Sequence, residues 1–458
     1  MLRPFPNYRQ TELNWLKRLP DSWGILRTKQ VFRLRIQKAP KNNQMELLSI
    51  YTHIGVKPRK ELEQRGNKAS TTDGYWIVKN GDIISNKLLA WMGAVGVSHY
   101  EGVTSPAYDI LRPIQRCNTD YYHYLFRTPT YLQQFKIRSR GIMDMRLRLY
   151  FDQLGQIPVP VPPHGEQDAI VLFLNWKTAQ INKFIRNKRR FIELLKEQKQ
   201  NVINQAVTRG LDPNVKLKPS GVEWIGDIPE HWEVMRIKFL FAEREERKGD
   251  TEFKLLSFSR SKGLVPFAEI SSKPPSAEDL SKYKVCRPGH FLMNRMQAWS
   301  GMFTDVEIEG VVSPDYSVFE PIRPMSVAYF SYLFKTKRHV DEFAMASKGI
   351  GDGFNRLYTP AFGAIRTLCP PVDEQNEIVE FIKQETAIID VATSRAEQEI
   401  ELMREYRTRL ISDVVTGQVD VRGIEVPEVA EDELLALDED AADADDVIDD
   451  EGDMDESD

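Results

Sequence analysis

The sequence is poor in cysteine, and that scarcity excludes several kinds of protein at once. Cys117, Cys286 and Cys369 are its three thiols in 458 residues. They are too few and too scattered for a disulfide framework or a paired-cysteine zinc site, so they read as reduced, structural thiols. The seven histidines show no ligand spacing of the HExxH kind. No stretch approaches the roughly 18 continuous apolar residues of a membrane span, and the start, MLRPFPNYRQ, lacks the apolar run of a signal peptide. The expected location is the cytoplasm, with no membrane partner.

Base is missing from one place. The formal charge of −5 comes from 62 Lys+Arg against 67 Asp+Glu, but Glu428 to Asp458, the last 31 residues, hold 17 of those acids and no Lys or Arg. Subtracting them leaves 50 acids, so residues 1 to 427 carry +12. The chain is a basic body with an acidic tail, and the pI of about 6.0 describes neither. Hydrophobic residues at 41% and charged residues at 28% are a globular profile. The length allows two to three domains.

What the sequence does contain is itself, twice. Shifted by 208, the segment Tyr75 to Pro113 falls on Tyr283 to Pro321 with 13 of 39 positions identical and no gap, against roughly one in sixteen by chance. The same offset carries Leu47-Leu48-Ser49 onto Leu255-Leu256-Ser257, and Gly141-Ile142 onto Gly349-Ile350. It also carries Arg148-Leu149-Tyr150 onto Arg356-Leu357-Tyr358, and Pro162-Pro163 with Glu166-Gln167 onto Pro370-Pro371 with Glu374-Gln375. It slips by one at the front, where LPDSW (Leu19 to Trp23) meets IPEHW (Ile228 to Trp232). So long a period is a whole domain and not a solenoid unit.

Each half changes texture once. Short apolar runs broken by Gly, Pro, Asn and Asp predict short strands and loops in a mixed α/β globule. After the Pro162-Pro163 pair a helical pattern runs from Gly165 to Thr208 without Pro or internal Gly. Leu174, Ile181, Leu195 and Val202 recur at multiples of seven, and their counterparts are Ile382, Ile389, Met403 and Leu410. Lys188 and Ala396 fill the missing places, so the heptad is imperfect. Such a helix packs either on its own globule or on its counterpart. Residues 176 to 200 carry eight bases and two acids, and residues 384 to 408 three bases and six acids. Net +6 facing net −3 favours pairing of the two helices, antiparallel if a twofold relates the halves. A helix of about 45 residues spans roughly 68 Å, near two turns of B-DNA.

Catalytic constellations are missing. Gly349-Ile350-Gly351-Asp352-Gly353 could pass for a phosphate cradle, but no GK[ST] follows and its counterpart, Gly141-Ile142-Met143-Asp144-Met145, keeps only the first Gly. Ser105-Pro106-Ala107-Tyr108 and Ser313-Pro314-Asp315-Tyr316 look distantly like the Asn/Asp-Pro-Pro-aromatic motif of amino methyltransferases. Ser has no side-chain carbonyl to accept from a target amine, so turns at strand starts are the better reading. Basic residues do cluster: Arg138, Arg140, Arg146 and Arg148 lie around Gly141, and Lys348, Asn355 and Arg356 around Gly349. Asn86-Lys87 with Trp91 matches Asn294-Arg295 with Trp299. Arg and Asn read base edges, and Lys and Arg neutralise phosphates; Lys87 and Arg295 are DNA-binding candidates on that ground. The bland alternatives are a surface charge patch and, for the tryptophans, core.

The two segments SRGIMDMRLRLYFDQLGQIPVPVPPHGEQDAI and SKGIGDGFNRLYTPAFGAIRTLCPPVDEQNEI, each followed by a long helix, carry a family likeness. The chain resembles the specificity subunit of type I restriction-modification enzymes over residues 15 to 425. The resemblance implies an α/β (α+β) fold of two tandem target recognition globules, 15–162 and 228–370. Each is followed by a helix, 163–210 and 371–418, joined by a linker at 211–227, with the helices forming an antiparallel coiled coil. The acidic tail, 427–458, is expected to be disordered. The resemblance further implies a non-catalytic reader of a bipartite site in double-stranded DNA that docks two methyltransferase subunits and restriction/translocase subunits. S-adenosylmethionine, ATP and Mg then belong to those partners and no cofactor or metal to this chain. Two departures are the acidic tail and the loss of alternating prolines in IRTLCPP.

Positions identical in both halves cannot distinguish two half-sites, so Gly141, Arg148, Leu149 and their partners should scaffold the loop or touch phosphate. Base readers are expected where residues diverge: Arg138 to Arg146 against Ala346 to Phe354, and His53 to Asp73 against Ser261 to Ser281. A scaffold protein with non-specific basic faces, and an enzyme with its own site, are the rival readings. The tail is either a solubility segment or an electrostatic competitor for the basic surface.

Overall fold

A computed structural model describes residues 2–52, 54–61, 72–141, 147–260, 262–271, 279–349 and 355–427. Nine α-helices occur among the described residues: α1 (Thr28–Val31), α2 (Thr119–Phe126), α3 (Pro129–Arg138), α4 (Phe151–Leu154), α5 (His164–Arg209), α6 (Val327–Leu333), α7 (Lys337–Ala346), α8 (Thr359–Ala364) and α9 (Val372–Val415). With the strands they make a mixed α/β chain. Among the described residues no helix is long and apolar enough to cross a membrane.

The chain forms two compact units, one of residues 1–190 with 396–458, the other of residues 191–395. The division falls inside α5 and α9, so each unit holds a globule and part of both long helices.

The first unit is organised on a four-stranded antiparallel sheet in the order Phe32–Leu34, Tyr108–Pro113, Ile83–Asn86, Val95–Val97. Ile83, Ile84, Ile110 and Leu111 are fully buried. A strand covered on both faces reads as a continuous apolar run, which is why DIISN shows no alternation. The hairpin Leu48–Tyr51 with Gly55–Pro58 contributes Leu48, Ile50 and Val56 to a cluster with Ile84 and Ile110.

The second unit has its own four-stranded sheet, Phe241–Arg244, Tyr316–Pro321, Phe291–Asn294, Phe303–Asp305. Period-two geometry sends Leu292 and Val318 into one cluster with Leu256 and Val312, and Phe291, Met293 and Phe319 into a larger one with the helices. That larger core takes Ile203, Ala206 and Val207 from α5 and Ile378, Val379 and Ile382 from α9.

Strand partners correspond between the units. Pro158–Val161 pairs with Gly24–Arg27, and Arg366–Cys369 with Glu233–Arg236. The IRTLCPP segment therefore keeps the local pairing of IPVPVPP although it lacks the alternating prolines, because Arg366–Cys369 makes the same antiparallel ladder.

The long helices also end alike. Each stops at a glycine in the left-handed region, Gly210 (φ +76°) and Gly417 (φ +73°), against a buried tryptophan. A Cβ on Gly210 would lie 3.5 Å from Trp232 and one on Gly417 3.0 Å from Trp23. Within the first unit the Tyr121 hydroxyl donates to the Val415 carbonyl (2.8 Å), and within the second the Tyr329 hydroxyl donates to the Val207 carbonyl (2.9 Å).

Of the eight heptad positions, Leu174, Ile181, Leu195, Ile382, Ile389 and Leu410 are buried, while Val202 and Met403 are half-buried. In the first unit Lys188 pairs with Glu399 (2.6 Å) and Arg407 donates to Asn182 (2.7 Å). In the second, Lys199 pairs with Asp390 (2.6 Å). Rising numbers on α5 meet falling numbers on α9 in the first unit, so the two run antiparallel there. Half-exposed pairs of this kind are worth at most about 1 kcal/mol each; they select a partner more than they stabilise.

Candidate nucleic-acid interface

Each globule presents one basic loop closed by the same device. After α3 the chain passes Arg140 and returns at Arg148, and these two residues exchange backbone hydrogen bonds of 2.9 and 3.0 Å. After α7, Lys348 and Arg356 do the same at 3.0 and 2.9 Å. The next residue is buried each time, Leu149 and Leu357, and its N–H donates to the carbonyl of Lys87 (2.8 Å) or Arg295 (3.0 Å). At the helix end the Ser139 and Ser347 hydroxyls donate to the Phe135 and Phe343 carbonyls. These bonds frame two segments, 142–146 and 350–354, that differ in sequence. Both segments, with Arg146, lie outside the described residues.

The rim carries the charge. Arg140 has a side chain 63% exposed and pairs with Asp152 on α4 at 3.2 Å. Arg148 and Lys348 are exposed and Asn355 is half-buried. Arg138 is held back, because its guanidinium donates to the Gln134 side chain one turn earlier. Arg356 faces Asp315 at 3.7 Å.

Lys87 and Arg295, the other two basic candidates, have partners within their own units. The Lys87 ammonium donates to the Pro106 carbonyl (2.9 Å) and lies 3.3 Å from Asp109, whose carboxyl is pushed up by burial against the pull of Lys87. Arg295 donates to the Asp315 carbonyl (3.1 Å) and the Pro314 carbonyl (2.5 Å). Both side chains brace the Ser-Pro turns, which do open strands: the Tyr108 and Tyr316 N–H groups donate to the Ser105 and Ser313 carbonyls. Trp91 is half-buried, with its indole nitrogen buried, and Trp299 lies nearer the surface. Lys136 sits 4.7 Å over the Trp91 ring, and Trp299 is 38% exposed with its indole donating to the Met296 carbonyl.

No family model matches the sequence. Two curated relatives from Methanocaldococcus jannaschii do. The type I restriction enzyme MjaVIII specificity subunit is 20% identical over 436 residues, covering 89% of this chain and 95% of that one. The putative type I restriction enzyme MjaX specificity subunit is 21% identical over 460 residues, covering 91% and 97%. The chain resembles type I restriction specificity subunits over about nine-tenths of its length. Among solved structures, the HsdS subunit of Thermoanaerobacter tengcongensis matches with a TM-score of 0.50 and 12% identity, over 87% of this chain and 98% of that one. A chain from a study of complex assembly and conformational transition of the type I R-M system matches with a TM-score of 0.60, at the same identity and coverage. These two likenesses are of fold.

In this specificity-subunit-like chain, the repeated Glu-Gln pair was visible in the sequence but its work was not. The Gln167 amide donates to the Pro162 carbonyl (2.9 Å) and accepts from the Asn118 N–H (2.8 Å) at the start of α2. Gln375 does the same with Pro370 (2.8 Å) and the Ser326 N–H (2.9 Å). Glu166 accepts from the Trp23 indole (2.7 Å), and Glu374 from the Trp232 indole (3.0 Å). These identical positions tie the start of each long helix to the proline pair before it, to the start of a shorter helix and to the buried tryptophan.

Proposed function

We propose that the chain is the sequence-reading, non-catalytic subunit of a type I restriction-modification assembly, contacting an asymmetric bipartite site in double-stranded DNA with one globule per half-site. The observation that carries this reading is the pair of segments with an equal hydrogen-bonded frame and unequal rims, Arg138 and Arg140 against Ala346 and Lys348. Equal frames present the loops alike, and unequal rims read different bases. The divergent stretches from His53 to Asp73 and from Ser261 to Ser281 are further candidate base readers; residues 53, 62–71, 261 and 272–278 of them lie outside the described residues.

Pairing of α5 with α9 as an antiparallel coiled coil would fix the spacing of the half-sites; the ion pairs within each unit support it. Docking of two methyltransferase subunits, and of restriction subunits with them, finds support in α9, where Phe381, Ile388 and Val391 are exposed on one face at spacings of seven and three. Adenine methylation with S-adenosylmethionine, and ATP- and Mg-dependent cleavage, are assigned to those partners and not to this chain, which works in the cytoplasm.

Long-read methylation mapping in cells with and without the chain tests the proposal. One asymmetric, interrupted motif methylated only in its presence is the expected result. A palindromic motif, or no dependence on the chain, would refute it. Binding to random DNA with no preferred site would favour the scaffold reading.

A further inference from the structure

Charge divides between the two units far more unequally than their folds do. Residues 1–190 with 396–427 hold 35 Lys+Arg against 21 Asp+Glu, a net +14. Residues 191–395 hold 27 against 29, a net −2. The 17 acids after Pro427 belong to the chain segment of the basic unit and would turn its +14 into −3.

Four exposed bases of the basic unit stand around α4. Arg27 ends the strand Gly24–Arg27 and donates to Gln156 (3.1 Å), just past α4. The Lys29 N–H donates to the Gly155 carbonyl (3.0 Å). Arg140 meets Asp152 of α4, and Arg148 is bridged to Arg140 through the backbone. All four basic side chains are exposed. The matched residues of the second unit are Arg236, Lys238, Lys348 and Arg356, but no matched acidic stretch follows the end of α5.

The point where the described chain ends lies on the same unit. Asp420 bridges Arg3, and Arg422 lies 3.6 Å from Glu166 and 4.7 Å from the centre of the Phe5 ring. Phe5 packs edge-on against Trp23, which immediately precedes the strand leading to Arg27. Thirty-one residues can extend up to roughly 100 Å, so reach is no obstacle.

We infer that residues 428–458 dock on the basic surface formed by Arg27, Lys29, Arg140 and Arg148, and compete there with the phosphates of DNA. A polyanion tethered to the unit holds a high local concentration against a cationic surface. It displaces non-specific duplex, whose affinity is almost wholly electrostatic, more than target duplex, which adds base contacts. The competition with DNA rests on the proposed function; the docking itself does not.

The experiment uses the full chain, a chain ending at Pro427, and a fluorescent peptide of residues 428–458. In 50 mM salt the peptide is expected to bind the shortened chain at least tenfold more tightly than the full chain, and binding should weaken steeply at 300 mM. Substituting Arg27, Lys29, Arg140 and Arg148 by Gln together should cost at least tenfold in peptide affinity with an unchanged melting temperature. A peptide with every Asp and Glu replaced by Asn and Gln should not bind, which tests the charge without altering the folded chain. Random-sequence duplex should bind the shortened chain at least tenfold more tightly than the full chain at 50 mM. Equal peptide binding to both chains, or indifference to the four substitutions, would overturn the docking. Peptide binding to a shortened chain that binds no duplex at all would uphold the docking and count against the DNA reading.

Discussion

Removing exposed base from the first loop should change the salt dependence of DNA binding more than removing it from the second. The perturbations are the double substitutions Arg140→Gln with Arg148→Gln, and Lys348→Gln with Arg356→Gln. Each phosphate neutralised contributes roughly 0.9 to the slope of log affinity against log salt. Arg140 and Arg148 are both exposed, so losing both lowers the slope by about 1.8. Between 50 and 200 mM, a fourfold change, the unaltered chain then loses about twelvefold more affinity than the variant. Arg140 meets Asp152 but keeps a side chain 63% exposed, whereas in the second loop Arg356 is half-buried as well as facing Asp315, leaving Lys348 as the principal phosphate contact. That pair should lower the slope by about 0.9, a difference of about 3.5-fold over the same range. The assay is fluorescence anisotropy on target duplex over a salt series, with the chain ending at Pro427 so that residues 428–458 do not contribute. Equal slopes for both variants, or slopes indistinguishable from the unaltered chain, would refute the assignment of these rims to phosphate.

Two further outcomes follow from the buried framework. His339, buried between the Thr336 and Thr367 hydroxyls at 2.9 and 3.0 Å, is held down to about 3 by burial. Its folded value lies below its unfolded one, so its contribution to stability is present above about pH 6.5 and is lost as pH falls towards 3. His339 should account for about 1.3 kcal/mol of the stability lost in urea unfolding between pH 7 and pH 5.5, and His339→Gln should remove that share while leaving the share of His123, which burial holds down alike. Tyr121→Phe and Tyr329→Phe strand the buried carbonyls of Val415 and Val207. Each should cost about 1–3 kcal/mol in urea unfolding, and a cost near zero would show that the helix ends do not depend on these hydroxyls.

The long helices were the most legible part of the chain, because a proline pair followed by more than forty residues without proline leaves few other conformations open. The mixed texture of the globules was legible for a related reason: runs such as FLMN, bounded by glycine and asparagine, are too short for helices. Side-chain partners were not legible. Lys87 donates to the carbonyl of Pro106, 19 residues later in the chain. Only the strand register that sets Tyr108 against Asn86 brings the turn back beneath it. Glu166 and Gln167 repeat as Glu374 and Gln375, a visible signal, but Trp23 is 143 residues away. The division of the chain inside α5 and α9 has no local signature at all, since a helix that changes packing partner midway keeps the same periodicity throughout.

That division sets an order of folding. Residues 191–395 form a contiguous unit, and its core, including Val207 from α5 and Ile382 from α9, is complete once α9 is partly made. The other unit joins residues 1–190 to residues beyond 395. Its closing contacts are distant in sequence: Tyr8 to the Gln418 carbonyl (3.2 Å), Arg18 to Gln418 (2.7 Å), Tyr121 to Val415, and Arg3 bridged to Asp420. Val414, Val415 and Val421 are buried there and cannot be supplied earlier. Loop closure over some 400 residues adds only a few kcal/mol of entropy, so the delay comes from the order of synthesis. A nascent chain stalled just after residue 395 has emerged should protect the 191–395 unit from protease while residues 1–190 are cleaved; protection of both, or cleavage of the later unit first, would show that the first globule closes without α9.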